Sequence, residues 1–490
     1  MILSEFRTIL AGYDRSIRIL GERNRMGIFR EYDIRGIVKQ DLAPDVVERI
    51  GRAYATLAKE RGVRTITVGR DGRLTSLALR GHLVAGLTGS GMNVVDLGLC
   101  ATPLLYFSLF SCDVEGGIMI TGSHNAAEYN GFKMCVGKEA LYGVDIQELR
   151  KIYESGRFAS GKGTVSERPI IPAYRQFLQE RFSALKGCGL RVVIDCGNGA
   201  ASLVAKDVLE QLGCHVTGLY CDLDGHFPNH HPDPTVMDNL KDLIEKVKET
   251  GADVGIGYDG DADRIGVIDE QGQILWGDRL LLLFARDVLL ENPGGTIISE
   301  VKASQGLYDD IQKRGGRGIM WKTGHSIMKA KMKEEKALLA GEMSGHVFFA
   351  DRYYGYDDAI YASCRLIEIL VKQKKPLSSL LADIPQTVVT PEIRVDCSDD
   401  QKFSLVEAVR ERLRNVANTQ DSKTSALPIR EIITIDGIRV RFDEGWGLIR
   451  ASNTQPALVL RFEASSQAHL SQIQDYLEGQ LSAVSGSSST

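Results

Sequence analysis

Apolar runs of strand type and helix type alternate along the first third of the chain. Residues 65–68, 93–97 and 117–120 are short runs of mainly aliphatic or β-branched residues, and residues 77–87 have the pattern of a helix. A strand followed by a helix and a further strand requires a crossover connection, which favours a mostly parallel sheet. The pattern therefore predicts an α/β unit at the start of the chain.

The alternation continues in two further units and then changes. A strand-like run at 191–195 begins a second unit, and a run at 296–298 lies early in a third. Beyond residue 385 the chain offers short strands at 437–441 and 457–462 with helix-like runs at each end, which is typical of a smaller α+β domain. The predicted division is an extension at 1–27, α/β domains at 28–170, 171–273 and 274–385, and an α+β domain at 386–490.

Composition and charge narrow the class of protein. The 490 residues carry a net charge of −5, which gives no basic footprint for nucleic acid. The nine cysteines include no C-x-x-C pair, which argues against a zinc ribbon or a disulfide framework and favours the reducing cytoplasm. No apolar run approaches the length of a membrane span. Arginines interrupt the apolar residues of 1–27, so no signal-peptide core forms, and Met26 is a candidate start.

An acidic segment, Asp259-Gly260-Asp261-Ala262-Asp263, lies between the apolar runs 252–258 and 265–269. In an extended segment its three aspartates would share one face, where charges about 4 Å apart repel by roughly 4 kcal/mol per pair at an effective dielectric near 20. A bound cation relieves that repulsion, and oxygen-only ligands favour a hard metal such as Mg²⁺.

The same segment fits three other patterns. Residues 255–260 form a G-x-G-x-x-G, but the dinucleotide interpretation needs a helix immediately afterwards. Residues 259–270 resemble a calcium loop, but that loop needs glycine where Arg264 stands and helices on both sides. A solvated acidic turn that binds nothing is the third interpretation.

Three further polar loops follow apolar runs. Residues 121–125 would present Ser123 at a strand end, with His124 and Lys133 close in sequence, which suits a nucleophile. Residues 450–456 combine an arginine with hydroxyl, amide and backbone N–H groups, which suits a phosphate. Residues 341–346 place a glutamate and a serine two positions apart, which suits a polyol. Taken alone, each loop is also compatible with an ordinary turn.

Together the four loops resemble those of the α-D-phosphohexomutase superfamily, closest to its bacterial phosphomannomutase/phosphoglucomutase branch. The resemblance covers about residues 28–485 and also rests on FREYDIRG at 29–36, GRDGR at 69–73, CGNG at 196–199 and WKTGHS at 321–326. It implies three similar α/β domains with mixed, mostly parallel sheets and a smaller C-terminal α+β domain, arranged around a central cleft.

The resemblance also implies a role for each matching residue. Ser123 would carry the phosphoryl group, and its phosphate would complete a Mg²⁺ site made by Asp259, Asp261 and Asp263. The other catalytic candidates in the cleft are Arg35, His124, Lys133, Arg264 and His325. The substrate-binding candidates are Tyr32, Lys302, Glu342, Ser344, His346, Arg450, Ser452, Asn453, Thr454 and Arg461, of which the last five would anchor the phosphate that does not react.

The implied reaction is reversible phosphoryl transfer between C1 and C6 of mannose or glucose phosphates through phosphoserine and a 1,6-bisphosphate. The implied cofactors are Mg²⁺ and, as activator, glucose 1,6-bisphosphate or mannose 1,6-bisphosphate. A monomeric cytoplasmic enzyme that binds hexose phosphates, but neither nucleic acid nor membrane, is expected. Phosphoglucosamine mutase, sugar-phosphate phosphatase, nucleotide-binding protein and inactive sugar-phosphate sensor are the alternatives.

Two positions depart from the usual family pattern. Ala126 stands where proline usually follows His-Asn, and Ala262 stands where the metal loop usually has glycine. Neither change removes a ligand. Ala262 would strain the loop if its φ is positive.

Overall fold

The computed structural model describes residues 27–419, 427–453 and 455–485. The elements of these residues form four sheets that follow one another along the chain. Apart from Gly27, the predicted N-terminal extension, which includes the candidate start Met26, lies outside the described residues. Thr454 and the last five residues of the chain also lie outside them.

A seven-stranded mixed sheet forms the first unit. Its strands are β1 Ile34–Ile37, β2 Thr65–Arg70, β3 Asn93–Leu99, β4 Gly116–Ile120, β5 Tyr129–Val136, β6 Glu139–Ala140 and β7 Val165–Glu167. Its helices are Val38–Asp41, Pro44–Glu60, Ser76–Gly89, Thr102–Ser111 and Val144–Ser155. The strand order is β1-β5-β4-β2-β3-β7, with β6 beside β5. β2 is parallel to both β3 and β4, as the crossover pattern predicted, whereas β5 is antiparallel to β4.

The second unit has five strands in the order β12-β11-β10-β8-β9. They are β8 Arg191–Asp195, β9 His215–Leu219, β10 Val254–Tyr258, β11 Ile265–Asp269 and β12 Ile274–Leu275. The α-helices Ile171–Arg181, Ala205–Gln211 and Lys241–Thr250 accompany them, with short 3₁₀ turns at Ser183–Leu185, Ala200–Leu203 and Met237–Leu240. β8 is parallel to β9 and β10, and β11 turns back antiparallel to β10.

The third unit repeats this plan with four strands in the order β14-β13-β15-β16. They are β13 Thr296–Glu300, β14 Arg317–Trp321, β15 Leu339–Gly341 and β16 Val347–Phe349. Its helices are Gly277–Glu291, Gln305–Lys313, His325–Glu335, Ala359–Gln373 and the 3₁₀ turn Leu377–Ser379. β13 is parallel to β14 and β15, and β16 is antiparallel to β15.

The fourth unit is a wholly antiparallel sheet with long helices. Its strands are β17 Val388–Val389, β18 Ile393–Asp396, β19 Glu431–Ile433, β20 Ile438–Arg441, β21 Gly445–Ala451 and β22 Ala457–Ala464, and its helices are Asp399–Thr419 and Gln467–Ser485. The order is β17-β22-β21-β20-β19, with β18 also beside β22. This is the smaller α+β domain that the sequence predicts.

One hydrophobic cluster joins the first three units, because Phe107, Tyr258 and Tyr361 belong to the same buried core. The fourth unit has its own core and meets the third where Trp446 packs near Val301. A shared, closely packed core of this kind holds loops from different units in fixed positions relative to one another.

The three α/β units place a functional loop at an equivalent point of the sheet. In each unit, a strand from the parallel part of the sheet ends in a polar loop, and the next strand returns antiparallel. The three strand pairs are β4–β5, β10–β11 and β15–β16. Their connections are residues 121–128, 259–264 and 342–346. The sequence analysis identified all three as polar segments beside apolar runs, and the structure shows that they occupy equivalent positions in the three sheets.

Candidate active site

Ser123 follows β4 in a strained turn and is nearly inaccessible. Its φ is 50°, a conformation that most residues avoid, and its side chain is buried. Its hydroxyl donates to Asp259 Oδ2 at 3.2 Å and lies 3.2 Å from Nδ1 of His124. Arg73 stabilises the turn, because its guanidinium donates to the carbonyl oxygens of Ser123 at 2.7 Å and Ala126 at 2.7 Å. The turn therefore places the Ser123 hydroxyl against the acidic loop of residues 259–264.

The three aspartates converge, but for a different reason from the one the sequence suggested. Residues 259–264 form the turn between β10 and β11 and not an extended strand. Oxygens of Asp259, Asp261 and Asp263 lie within 4.8 Å of one another, and all three side chains are fully buried. Ala262 has φ 62°, so the positive φ considered for this position is present. The three carboxylates therefore converge because the chain turns at this point. On an extended strand they would share one face without converging.

Lys133 on β5 neutralises part of this acidic cluster. Its Nζ donates to Asp261 Oδ2 at 2.7 Å and also to Asp263 Oδ2. Burial opposes the charge of Lys133, but the two carboxylates raise its pKa above the ordinary value. Burial likewise opposes the charge of Asp261, yet Lys133 lowers the pKa of that carboxyl. Burial and repulsion from the other two aspartates raise the pKa of Asp259.

The donor set fits a hard divalent cation. Asp261 Oδ1 and Asp263 Oδ1 are buried and have no hydrogen-bond partner, which is costly unless another group satisfies them. Thr102 fixes Asp261 by donating to Oδ2 at 2.5 Å. Three carboxylates with two free, buried oxygens match the oxygen ligands that Mg²⁺ prefers.

His346 connects the acidic loop to the loop after β15. Arg264 Nε donates to His346 Nε2 at 3.0 Å, so Nδ1 of a neutral His346 must carry its proton. That Nδ1 lies 2.9 Å from Asp357 Oδ2, and Lys329 donates to Asp357 Oδ1 at 3.0 Å. Asp263, His346 and Asp357 also lie close enough to hold a metal, and His346 Nδ1 and Asp357 Oδ2 are buried without a hydrogen-bond partner among the described residues. That site would contain a nitrogen ligand and would need the Arg264 contact to be lost so that Nδ1 is free, whereas the aspartates offer only oxygens, which Mg²⁺ prefers. The three-aspartate cluster is therefore the better metal site.

Glu342 is fixed by hydrogen bonds within the third unit. Its Oε1 accepts from the Gly324 backbone N–H at 2.6 Å, and its Oε2 accepts from the Ser344 hydroxyl at 3.2 Å. The side chain is buried, and burial together with the nearby Glu300 raises its pKa. A held carboxylate beside a hydroxyl is suited to accept hydrogen bonds from a polyol.

The loop after β21 reaches across to the first unit. Arg450 pairs with Asp436 through Nε at 3.1 Å and Nη2 at 3.0 Å. Asn453 donates to the Tyr32 hydroxyl at 3.0 Å, and Tyr32 donates to the Thr323 carbonyl oxygen at 3.0 Å. Tyr32 thus joins the first, third and fourth units. Ser452 turns inward to accept from the backbone of Gln455 at 3.1 Å.

Lys302 and Arg461 are paired with protein groups. Arg461 donates to the Lys302 carbonyl oxygen at 2.6 Å and lies 3.4 Å from Asp278 Oδ2. Lys302 Nζ pairs with Glu392 at 3.0 Å and with Glu300 at 3.5 Å. In this conformation both side chains link the third unit to the fourth, and their substrate-binding roles stay predictions.

Arg35 and two histidines complete the predicted set. Arg35 bridges Asn125 Oδ1 of the serine loop and Asp33 Oδ2, each at 2.5 Å. Burial and the neighbouring Arg264 hold the pKa of His124 well below its ordinary value, and burial with Lys329 does the same for His325. Both histidines are therefore neutral near neutral pH, and the same shift makes each a weaker proton acceptor than an exposed histidine.

Five residues with clear positions in this site carried no assigned role in the sequence analysis: Arg73, Thr102, Glu300, Asp357 and Asp436. Arg73 lies in the GRDGR segment just beyond β2, so its place at a strand end was a usable signal. Thr102 begins a helix about 160 positions from its partner Asp261, and no local pattern links the two.

Family models match the chain in four consecutive parts. They are phosphoglucomutase/phosphomannomutase alpha/beta/alpha domain I at residues 26–160, domain II at 172–272, domain III at 276–388 and the C-terminal domain at 392–480. These matches cover most of the sequence and follow the order of the four sheets. The chain belongs to the phosphoglucomutase/phosphomannomutase family.

Individual relatives agree with this assignment. A Pseudomonas aeruginosa protein named phosphomannomutase/phosphoglucomutase is 46% identical, with 94% of this chain and 96% of the relative covered. A crystal structure of a phosphoglucomutase/phosphomannomutase family protein from Burkholderia thailandensis superposes with a TM-score of 0.86 at 42% identity, covering 94% of this chain and 98% of that one. A Methanopyrus kandleri protein named probable phosphoglucosamine mutase is 34% identical over 90% of this chain and 95% of its own.

No helix among the described residues is both long and apolar enough to cross a membrane.

Proposed function

We propose that the chain catalyses reversible transfer of a phosphoryl group between C1 and C6 of mannose and glucose phosphates. It is then a phosphomannomutase/phosphoglucomutase, an isomerase of the phosphohexomutase type. The proposal rests on the family assignment and on relatives at 46% identity with that name. The observation that carries it is the Ser123 hydroxyl, held 3.2 Å from a carboxylate of a buried three-aspartate cluster.

Phosphoryl transfer depends mainly on positioning and on stabilising charge over the transferring oxygens. Mg²⁺ held by Asp259, Asp261 and Asp263 would supply that stabilisation beside the phosphate of Ser123. Arg264 adds a guanidinium on the same side, since it lies 3.9 Å from Asp259 and is fixed by His346.

The protein residues then have separable roles. Ser123 would donate its phosphoryl group to one sugar oxygen, with His124 and His325 as the candidates to accept the proton of the attacking hydroxyl. Lys133 would keep the acidic loop folded through its bonds to Asp261 and Asp263. Arg35 fixes the serine loop through Asn125. The sugar 1,6-bisphosphate would turn around in the cleft before Ser123 takes back the other phosphate.

Substrate recognition is proposed for the third and fourth units. Glu342 and Ser344 would bind sugar hydroxyls, with His346 closing their loop. Arg450 and the turn of Ser452, Asn453 and Thr454 would hold the phosphate that does not react, aided by Tyr32, Lys302 and Arg461. Because the sugar must bind in two orientations, this anchor has to serve both phosphates in turn.

The domain limits, the monomeric state, the cytoplasmic location and activation by glucose or mannose 1,6-bisphosphate stay predictions. We propose boundaries at about 170, 273 and 385, between neighbouring sheets of the fold.

Two related activities use the same residues. A phosphatase would pass the phosphoryl group of Ser123 to water, and a phosphoglucosamine mutase would accept an amino sugar. The aligned relative with the second name is less similar, at 34%, than the phosphomannomutase/phosphoglucomutase at 46%.

The test is turnover of mannose 1-phosphate, glucose 1-phosphate and glucosamine 1-phosphate with Mg²⁺ and a trace of glucose 1,6-bisphosphate. We expect both hexose 1-phosphates to yield their 6-phosphates without inorganic phosphate. Release of phosphate as the main product, or turnover of the amino sugar alone, would replace the proposal with the corresponding alternative.

A further inference from the structure

Two thiol pairs lie at opposite ends of the same two parallel strands in the second unit. Cys196 follows β8 and Cys221 comes shortly after β9, with Sγ atoms 3.4 Å apart. Cys188 and Cys214 precede the same strands, with Sγ atoms 3.5 Å apart. We name Cys196 and Cys221 the site-end dithiol, since ligands bind at the carboxyl ends of such strands, and Cys188 and Cys214 the far-end dithiol.

We propose that the site-end dithiol is a redox modification site, at which hydrogen peroxide forms a reversible Cys196–Cys221 disulfide that switches the enzyme to a less active state. All four thiols are reduced in the structure. A disulfide bond is about 2.05 Å long, so sulfurs now 3.4 Å apart must approach by roughly 1.4 Å. That displacement is small for side chains but significant for the tight loop to which Cys196 belongs.

Cys221 is the thiol placed to react first. Its side chain is partly exposed, whereas Cys196 is fully buried. The hydrogen bond from Cys196 lowers the pKa of the Cys221 thiol, although burial and Asp195 oppose this, and Lys206 adds to the lowering. Thiolates are the nucleophilic form of cysteine, so peroxide should attack Cys221 in preference to its buried partner.

The oxidation balances in two steps. The Cys221 thiolate attacks one peroxide oxygen, the O–O bond breaks, and the departing hydroxide takes a proton to become water, leaving a sulfenic acid. The Cys196 sulfur then attacks the Cys221 sulfur, forming the S–S bond and expelling the sulfenic oxygen as a second water molecule with the Cys196 proton. The two thiols lose two electrons in total, and one peroxide gains them. A dithiol reductant reverses the change by thiol exchange.

Cys196 is coupled to the active site by backbone contacts. Its carbonyl oxygen accepts from the Gly199 N–H at 2.7 Å, and the next residue, Ala200, donates to the Gly260 carbonyl oxygen at 2.9 Å. A Cβ on Gly199 would lie 2.8 Å from that oxygen, and a Cβ on Gly260 would lie 2.3 Å from the carbonyl oxygen of Ser123. The loops approach one another closely at these two glycines, so a backbone shift at Cys196 should be passed to Gly260 between the aspartates and, through it, to Ser123.

The far-end dithiol provides an internal control. Its sulfur separation of 3.5 Å is nearly equal to that of the site-end dithiol, but it lies at the amino ends of β8 and β9, the side of the sheet away from the acidic loop. Burial also raises the pKa of the Cys214 thiol. Cys188 is partly exposed, as Cys221 is, so peroxide can reach this pair too, but its oxidation should leave activity unchanged.

The experiment treats wild type, C221S and C188S with hydrogen peroxide, then maps cross-linked peptides by mass spectrometry without reduction. Activity is measured before treatment, after it and after dithiothreitol. We expect a Cys196–Cys221 peptide in wild type and C188S. Their activity should fall by about ten- to a hundredfold, the scale expected for an ångström of misplacement, and recover with dithiothreitol. C221S should keep its activity through the treatment.

The mapping does not depend on turnover, so it separates failure of this inference from failure of the proposed function. Absence of the Cys196–Cys221 peptide after peroxide would overturn the modification site. A C221S variant that loses activity as wild type does would assign the effect to another residue and overturn the switch. A disulfide that forms without changing activity would also refute the coupling to Gly260.

Discussion

Replacing Lys133 with methionine tests how the acidic cluster stays folded. Lys133 is buried on β5 and bonds to both Asp261 and Asp263. Methionine keeps most of the side-chain volume but removes the charge. Removing one partner of a buried ion pair costs about 3–5 kcal/mol, because the other charge remains buried and uncompensated. We therefore expect the free energy of unfolding of Lys133→Met in EDTA to fall by that amount.

Mg²⁺ should restore more stability in this variant than in wild type. Without Lys133, three carboxylates face one another at repulsion energies of roughly 4 kcal/mol per pair at an effective dielectric near 20. A divalent cation then relieves more repulsion and should bind more tightly. A ligand at a hundred times its Kd stabilises the folded state by about 2.7 kcal/mol, and a lower Kd increases that figure.

The assay is thermal unfolding of each protein with EDTA and with increasing Mg²⁺. Lys331→Met is the matched control, since Lys331 is also largely buried and pairs with two carboxylates, Glu334 and Glu335, outside the site. We expect the control and wild type to show the same Mg²⁺-dependent shift in Tm, and Lys133→Met a larger one. An equal shift in all three proteins would refute the idea that Lys133 and the metal neutralise the same carboxylates.

Three further predictions concern recognition and pH. Glu342→Gln should raise KM for mannose and glucose 1-phosphates alike, because Glu342 is expected to bind hydroxyls common to both; loss with only one sugar contradicts shared recognition. Arg450→Ala should raise KM by roughly ten- to a hundredfold, since charge-assisted hydrogen bonds are worth about 1.5–3 kcal/mol. Arg430→Ala, which removes an exposed pair in the same unit, is its control, and equal KM values in both variants would place the anchor elsewhere. Burial raises the pKa of Asp358 from 3.8 to about 6, so the folded state holds more protons between these values and stability falls as pH rises through them. Between pH 4.5 and 7.5, the free energy of unfolding of Asp358→Asn should therefore fall by about 2 kcal/mol less than that of wild type, measured by urea unfolding. An unchanged pH dependence would show that Asp358 titrates normally.

Local patterns predicted several of the strands, because a strand buried in a parallel sheet leaves a continuous apolar run in the sequence. The run 191–195 is β8 itself, and the runs near 65, 93, 117 and 296 fall within β2, β3, β4 and β13. The acidic loop was identified for its charge, although its three carboxylates meet through a hairpin turn. Alternation in sequence cannot distinguish those two geometries.

Local patterns could not predict contacts between distant parts of the chain, and only the resemblance brought distant loops such as those of Ser123 and Asp259 together. Lys133 and Asp261 are 128 positions apart, and Tyr32 and Asn453 are 421 apart. Such pairs arise from how the units pack, and no spacing rule encodes them. The resemblance gave Arg461 the same anchoring role as Arg450. Both are paired with protein groups, Arg461 with the Lys302 carbonyl oxygen and Asp278 and Arg450 with Asp436, and the anchoring role of both stays a prediction.

The central claim is that Ser123 carries the phosphoryl group, and its most direct test is the mass of the intact protein. The purified protein should contain a fraction heavier by one phosphate, located at Ser123 by peptide mapping. Glucose 1-phosphate with Mg²⁺ should discharge it as bisphosphate appears, and Ser123→Ala should lack the label, fold normally and lose activity by several orders of magnitude. A label on another residue, or near-normal turnover by Ser123→Ala, would contradict the account.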